Sequence, residues 1–266
     1  MDNTIITLAP LEQKPYASFP SAEALADEIV ECHAAGAAAL HLHVVDPAGN
    51  QTTDTTFFRR VIGRIRDKCD MIIEGSTGGS FTMTPDERSV ALEVEGVEMA
   101  SLNMGSANIG DNVYINSPKD IVFWAEKMRR HRVVPDMALF EHGMMPRIAV
   151  LESQGLIRGP YCASLAMGLE DALPATPANL LSLSQSLPAG TVWTLVHHHS
   201  TDFCLQAMAV ALGGHCRTGF EDTRYLTPHR EARSNVELVA AVRDLIRQLG
   251  REVATSAEAR RMLGLT

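Results

Sequence analysis

Residues 21–49 read SAEALADEIVECHAAGAAALHLHVVDPAG, and the order of apolar and polar positions in this stretch decides the fold. Residues 21–35 have the spacing of an amphipathic helix, and Gly36 closes it. Residues 38–45 form an apolar strand, and Asp46-Pro47-Ala48-Gly49 is a turn. Helix, strand and turn therefore follow one another with almost no connecting chain.

The same unit repeats in both directions. Apolar strand-like runs recur at residues 5–8, 71–73, 99–102, 133–140, 161–165, 192–196 and 216–220. Helix-like stretches lie between them, at 56–68, 146–154, 203–212 and 234–249, with further starts at Thr84-Pro85, Ser117-Pro118 and Thr176-Pro177. In these starts a hydroxyl can cap the first turn and proline fits just inside it. Alternating β and α units imply a parallel sheet. About eight of them in 266 residues, with no break in composition, predict a single (β/α)8 TIM-barrel domain over 1–266. A doubly wound open sheet is the alternative. Ala9-Pro10-Leu11-Glu12 stands where that fold would carry a glycine-rich fingerprint after its first strand.

Composition narrows the function. Thirty-two acidic residues against 23 basic ones give a net charge of −9, which disfavours a nucleic-acid partner. The start of the chain lacks the pattern of a secretory signal, and no apolar run is long enough to span a bilayer, so a cytoplasmic location is expected. The five cysteines contain no CxxC pair and read as free thiols in a reducing compartment.

Chemistry-bearing residues fall just after strands, where barrel active sites are built. His41 and His43 are two apart in one strand, so both imidazoles face the same way. Two neutral imidazoles on one face suit a divalent metal, and Glu221 would complete a two-histidine, one-carboxylate set with open positions for substrate. Arg217 shares parity with Glu221, whereas Asp222 needs a twist or turn to join them. The loop Gly75-Ser76-Thr77-Gly78-Gly79-Ser80 can cradle an anion with its backbone N–H groups. Ser101 and Asn103 end the fourth strand, and Glu141 and His142 follow the fifth. His197-His198-His199 follows the seventh and reads chiefly as a polar loop.

The stretches AGAAALHLHVVDPAG, IIEGSTGG, EMASLNMGSANIGDNVYINSPKDI, VVPDMALFEHGM, GGHCRTGFED and LGREVATSAEARRMLGL, taken in order, resemble the β-keto acid cleavage enzymes across nearly the whole chain. The resemblance implies a TIM barrel with Zn2+ held by His41, His43 and Glu221. It implies a reaction in which a β-keto acid and acetyl-CoA give acetoacetate and a new acyl-CoA, through a zinc-stabilised enolate and a retro-Claisen step. Asp222, Arg217 and Glu12 match the family's base machinery. Ser76, Ser101 and Glu141 match substrate-contacting positions, with Thr77, Gly78 and Asn103 beside them. The resemblance also implies a homo-oligomer. Departures sit in the loops: Val45 replaces an arginine, Gly168-Leu169-Glu170-Asp171-Ala172 replaces a glycine-rich loop, and His197-His198-His199-Ser200 replaces Gly-Ile-Gly-Arg. A metal-dependent hydrolase and a non-catalytic metabolite-binding relative are the alternative readings, and iron is the alternative metal for such a triad.

Overall fold

A computed structural model describes residues 3–12 and 19–265. Eight parallel strands close into a barrel. They are β1 (Ile6–Leu8), β2 (Ala39–Leu42), β3 (Ile72–Gly75), β4 (Met99–Asn103), β5 (Val134–Leu139), β6 (Cys162–Met167), β7 (Val192–His197) and β8 (His215–Thr218). Each strand pairs with its sequence neighbour, and β8 closes on β1 through Ile6↔Cys216, Thr7↔Arg217 and Leu8↔Thr218. The expected TIM barrel is the observed architecture, and the open sheet is excluded by this closure.

The helices are α1 (Ala22–Ala35), α2 (Thr56–Arg66), α3 (Pro118–His131), α4 (Pro146–Ser153), α5 (Pro177–Ser186), α6 (Cys204–Ala211), α7 (Asn235–Gln248) and α8 (Ser256–Leu263). In α1, Leu25, Ala26, Ile29 and Cys32 are buried at helical spacing. Burying one leucine or isoleucine fully is worth about 1.5–3 kcal/mol, so a few such positions seat the helix on the barrel. Ser117, Thr176, Ser234 and Thr255 cap their helices as their sequence context predicts.

Two local expectations are corrected. The helix expected to begin at Thr84 is a 3-10 helix, Glu87–Glu93, kinked at Ser89. Thr84 and Glu87 do form reciprocal bonds, but the Ser89 hydroxyl donates to the carbonyls of Pro85 and Asp86 and competes with a regular turn. The last strand ends at Thr218, not Phe220, because the chain turns at Gly219, whose φ is +139°. A Cβ there would lie 2.1 Å from the Ala9 carbonyl oxygen, so only glycine fits this approach. Two antiparallel hairpins, Ala107–Ile109 with Asn112–Tyr114 and Tyr225–Thr227 with Arg230–Glu231, were not expected.

The barrel interior is layered. At the N-terminal end Ile5, Ala39, Ile72, Met99 and Cys162 form an apolar plug closed by Ala259 and Leu263 of α8. Two residues further along the strands the inward positions become polar, with Thr7, His41, Glu74, Ser101, Asp136, Ser164 and Arg217 all buried. Register places His41 beside Glu74, Ser101 beside Asp136 and Thr7 beside Arg217. The strand pleat thus carries a polar layer onto an apolar floor, facing the mouth where loops follow the strands.

Candidate active site

His41 lies within β2 and His43 just beyond its end, both on the inward parity. Glu221 comes from the turn after β8, held by its backbone N–H to the Ala9 carbonyl at 3.2 Å. The carboxylate Oε1 of Glu221 lies 3.8 Å from His41 Nε2 and 3.6 Å from His43 Nε2. One ligand atom from each of the three side chains falls within 4.8 Å of the others. His41 Nδ1 is 2.8 Å from Glu74 Oε1, which fixes the ring and turns Nε2 toward the cluster. Glu221 Oε2 is buried and has no hydrogen-bond partner, a state that costs free energy unless something binds it. The donor set, its one-sided convergence and this orphaned oxygen fit a divalent ion.

Electrostatics keep Glu221 ionised. Burial works to raise Glu221, but Arg217, His43 and His41 outweigh it and hold the carboxyl well below the usual carboxylate range. Burial works to lower His41, but the carboxylates of Glu74 and Glu221 together raise it.

Arg217 ends the polar layer. Its Nε donates to Asp222 Oδ2 at 2.9 Å, and its Nη2 donates to Asp222 Oδ1 at 2.6 Å and Glu221 Oε1 at 3.2 Å. A bidentate guanidinium fixes a carboxylate in both distance and plane. Glu221 and Asp222 reach Arg217 together because both lie in the turn after Gly219, so strand parity does not govern them. Asp222 is also 3.3 Å from His198 Nδ1.

Glu12 is gripped by Arg224, whose Nε donates to Oε1 at 2.6 Å and whose Nη2 donates to Oε2. The Arg224 guanidinium lies over the Phe220 ring.

The glycine-rich loop leaves β3 directly above Glu74. Ser76 Oγ accepts the Gly78 N–H at 3.0 Å, and Ser101 Oγ accepts the Thr77 N–H at 3.0 Å. Accepting these N–H groups leaves each serine's own O–H available as a donor. Thr77 is fully buried and gives its hydroxyl to the Ser101 carbonyl at 2.6 Å, so it braces the loop. A Cβ on Gly78 would lie 2.9 Å from both His43 Cε1 and Ser76 Oγ, so a side chain there would press on the His43 imidazole. Asn103 donates to Thr77 Oγ1 and the Tyr114 hydroxyl, each at 3.3 Å. Glu141 is exposed and lines a separate cavity of about 320 Å³ with Ser106, Asn116 and Arg147.

Sequence reasoning missed Glu74, Arg88 and Asp136. The signal for Glu74 was present: it is a lone carboxylate in an apolar strand, two positions before Ser76. Arg88 is buried between the Tyr114 and Trp124 rings and donates to Thr77 O, Ile115 O, Tyr114 Oη and Asn116 Oδ1, tying the glycine-rich loop to the hairpin. Asp136 accepts from the Ser164 hydroxyl beneath the site, and burial together with the Glu74 charge pushes it up to about 7.

Comparison with known proteins gives concordant matches. The family model described as beta-keto acid cleavage enzyme matches residues 4–265. A 3-keto-5-aminohexanoate cleavage enzyme of Fusobacterium nucleatum is 36% identical over 273 residues, covering 100% of this chain and 99% of that one. A 3-oxoadipate:acetyl-CoA acetyltransferase of Cupriavidus necator is 34% identical, covering 87% of this chain and 82% of that protein. Among solved structures, apo ObcA superposes with a TM-score of 0.76 at 20% identity, over 94% of this chain and 66% of that one. This likeness concerns the fold alone. Among the described residues no helix is long and apolar enough to cross a membrane.

Proposed function

The chain belongs to the beta-keto acid cleavage enzyme family, and on that premise we propose that it exchanges acyl groups between a small β-keto acid and acetyl-CoA, with zinc at His41, His43 and Glu221. The carbon–carbon bond beside the keto group breaks, a new one forms to the acetyl carbon, and acetoacetate and a new acyl-CoA leave. The observation that carries this reading is the Asp222–Arg217–Glu221 arrangement, which sets an oriented carboxylate base next to the three-ligand cluster.

A bound divalent ion would act as a Lewis acid that stabilises negative charge on the substrate's oxygens. The protein's own groups do the rest. Asp222 accepts a proton from the carbon between the keto and carboxylate groups, and the C–H electron pair stays on the substrate as an enolate. Arg217 keeps Asp222 in plane before the transfer. The O–H groups of Ser76 and Ser101, each with its oxygen already tied to a backbone N–H, can donate to the substrate's carboxylate or keto oxygen. The backbone N–H groups of Ser76, Thr77 and Gly78 are spent inside the protein, on Leu42 O, Ser101 Oγ and Ser76 Oγ, so the loop offers its serine hydroxyls and not the anion-binding amides expected of it. We assign Glu12 to the mouth, where Arg224 holds it, and leave Glu141, which lines the separate cavity, outside the reacting cluster.

The test is a panel of β-keto acids incubated with acetyl-CoA, read by mass spectrometry for acetoacetate and the matching acyl-CoA, with metal analysis of the purified protein. Product in both channels together with stoichiometric zinc supports the reading. Hydrolysis that proceeds without any CoA ester would replace it with a hydrolase, and binding without turnover would leave a metabolite-binding protein.

A further inference from the structure

The proposed function leaves the histidine triplet without a role, yet the structure treats its three members differently. Thr194 of β7 pairs in register with the inward Ser164, and the same parity carries His198, just past the strand end, inward, while His199 is exposed. His198 is buried. The loop is tied at two points: the His198 N–H donates to the Met167 carbonyl at 3.0 Å, and, two residues on, the Thr223 hydroxyl donates to the Ser200 carbonyl at 2.6 Å. A Cβ on Gly168 would come within 2.5 Å of the His198 carbonyl oxygen, so the neighbouring loop packs directly on this backbone. His199 has φ +57°, a left-handed conformation that turns the chain sharply after His198. The ring is therefore delivered by a rigid loop, and its Nδ1 stops 3.3 Å from Asp222 Oδ1.

An ionised carboxylate offers about four lone-pair sites. The Arg217 fork occupies one on each oxygen of Asp222. His198 Nδ1 lies 3.3 Å from Oδ1, within reach of a further site there, while Oδ2 keeps a lone pair that can receive a proton. We propose that His198 is a positioning residue for Asp222, holding Oδ1 with an Nδ1–H so that the substrate's proton is taken by Oδ2. Burial lowers the His198 imidazole to about 4, so the ring is neutral and supplies a hydrogen-bond donor without a second cation. In the forward half the substrate C–H bond breaks, the proton goes to Oδ2 and the electron pair stays on the enolate. In the return half the same proton passes to the carbon of the departing acetoacetate. This inference rests on the function proposed above and deepens it, because the residue belongs to the loop where this chain departs from the family pattern.

The experiment compares His198→Leu, His198→Asn and a control, His199→Asn, in the full chain. Asparagine can place its amide N–H near the position of Nδ1, whereas leucine cannot. With an outer partner removed, kcat of His198→Leu is expected to fall about 10–100-fold. KM for the keto acid should stay within about twofold and His198→Asn should recover to within about threefold of wild type. Metal content should not change, and His199→Asn should match wild type. Added to Asp222→Asn, His198→Leu should have no further effect, because its action passes through Asp222. Full kcat in His198→Leu, an equal loss in the Asp222→Asn background, or no recovery in His198→Asn would each overturn the inference while an active wild type keeps the reaction itself. A wild type that cleaves no keto acid overturns the functional reading. In that case the tautomer of His198, read by NMR of 15N-histidine-labelled protein, decides the inference alone: a proton on Nδ1 that is displaced in Asp222→Asn supports it, and a proton on Nε2 overturns it.

Discussion

His41 and Glu74 face each other across β2 and β3, and their side chains meet at 2.8 Å between Nδ1 and Oε1. A strand register therefore orients an imidazole of the candidate metal site. The carboxylate behind the imidazole selects the tautomer with hydrogen on Nδ1 and strengthens Nε2 as a donor to a cation. The expected consequence is that Glu74→Gln keeps the ring in place, since an amide oxygen still accepts from Nδ1, but removes the charge. Zinc affinity measured by chelator competition should fall about 10–100-fold, with the circular dichroism spectrum unchanged.

Arg217 is expected to be irreplaceable by lysine. A lysine ammonium preserves the buried charge but cannot reproduce the planar fork that holds both oxygens of Asp222. With the base misaligned, kcat for keto acid cleavage in Arg217→Lys should drop by about 100-fold or more. The zinc content should be retained, since His41, His43 and Glu221 remain. Steady-state kinetics combined with metal analysis checks both parts.

Asp136 gives a pH-dependent stability. Its folded-state pKa is raised to about 7 by burial and the Glu74 charge, against about 3.9 in an unfolded chain. Between those values the unfolded state releases this proton and the folded state keeps it, so the group destabilises the fold increasingly as pH rises from about 4 to about 7, then by a constant amount. Asp136→Asn removes the titration and can still accept from the Ser164 hydroxyl. In chelator-treated protein its thermal midpoint should exceed that of wild type, by an advantage that grows over that window and reaches about 5 °C or more at pH 8. A constant difference between pH 4 and 8 would contradict this origin.

Gly219→Ala tests the junction that delivers Glu221 and Asp222. The added Cβ would meet the Ala9 carbonyl oxygen at 2.1 Å, in a backbone with φ +139°. Neither a rotamer change nor a shift of a flexible side chain relieves a clash with backbone. Thermal unfolding should show a midpoint lowered by more than about 5 °C, and zinc titration should show weakened binding, because the turn carries Glu221, the proposed third ligand.

The strand–helix alternation, the shared face of His41 and His43 and the Arg217–carboxylate grouping were legible in the sequence because each depends on local periodicity or on closely spaced residue types. His41 and His43 declare a shared face by their spacing alone. Glu74 shows the limit: its parity was readable, but that it would stand beside His41 required the β2–β3 register. Asp222 reached Arg217 by another route, since the strand ended two residues early and a turn replaced the alternation on which the expectation rested. The triplet was visible as an oddity, while the separate fate of His198 depended on where β7 stopped.

The sequence by itself determined which elements form and which side chains can bear chemistry, because hydrogen-bonding period, capping and apolar spacing act over a few residues. The tertiary structure decided which of those side chains meet. Barrel closure brings β8 against β1, so Gly219 meets Ala9 and Glu221 arrives opposite His41 and His43, more than 170 residues away in the chain. Such contacts depend on how strands align in register and where their ends turn, and no local pattern encodes those two quantities.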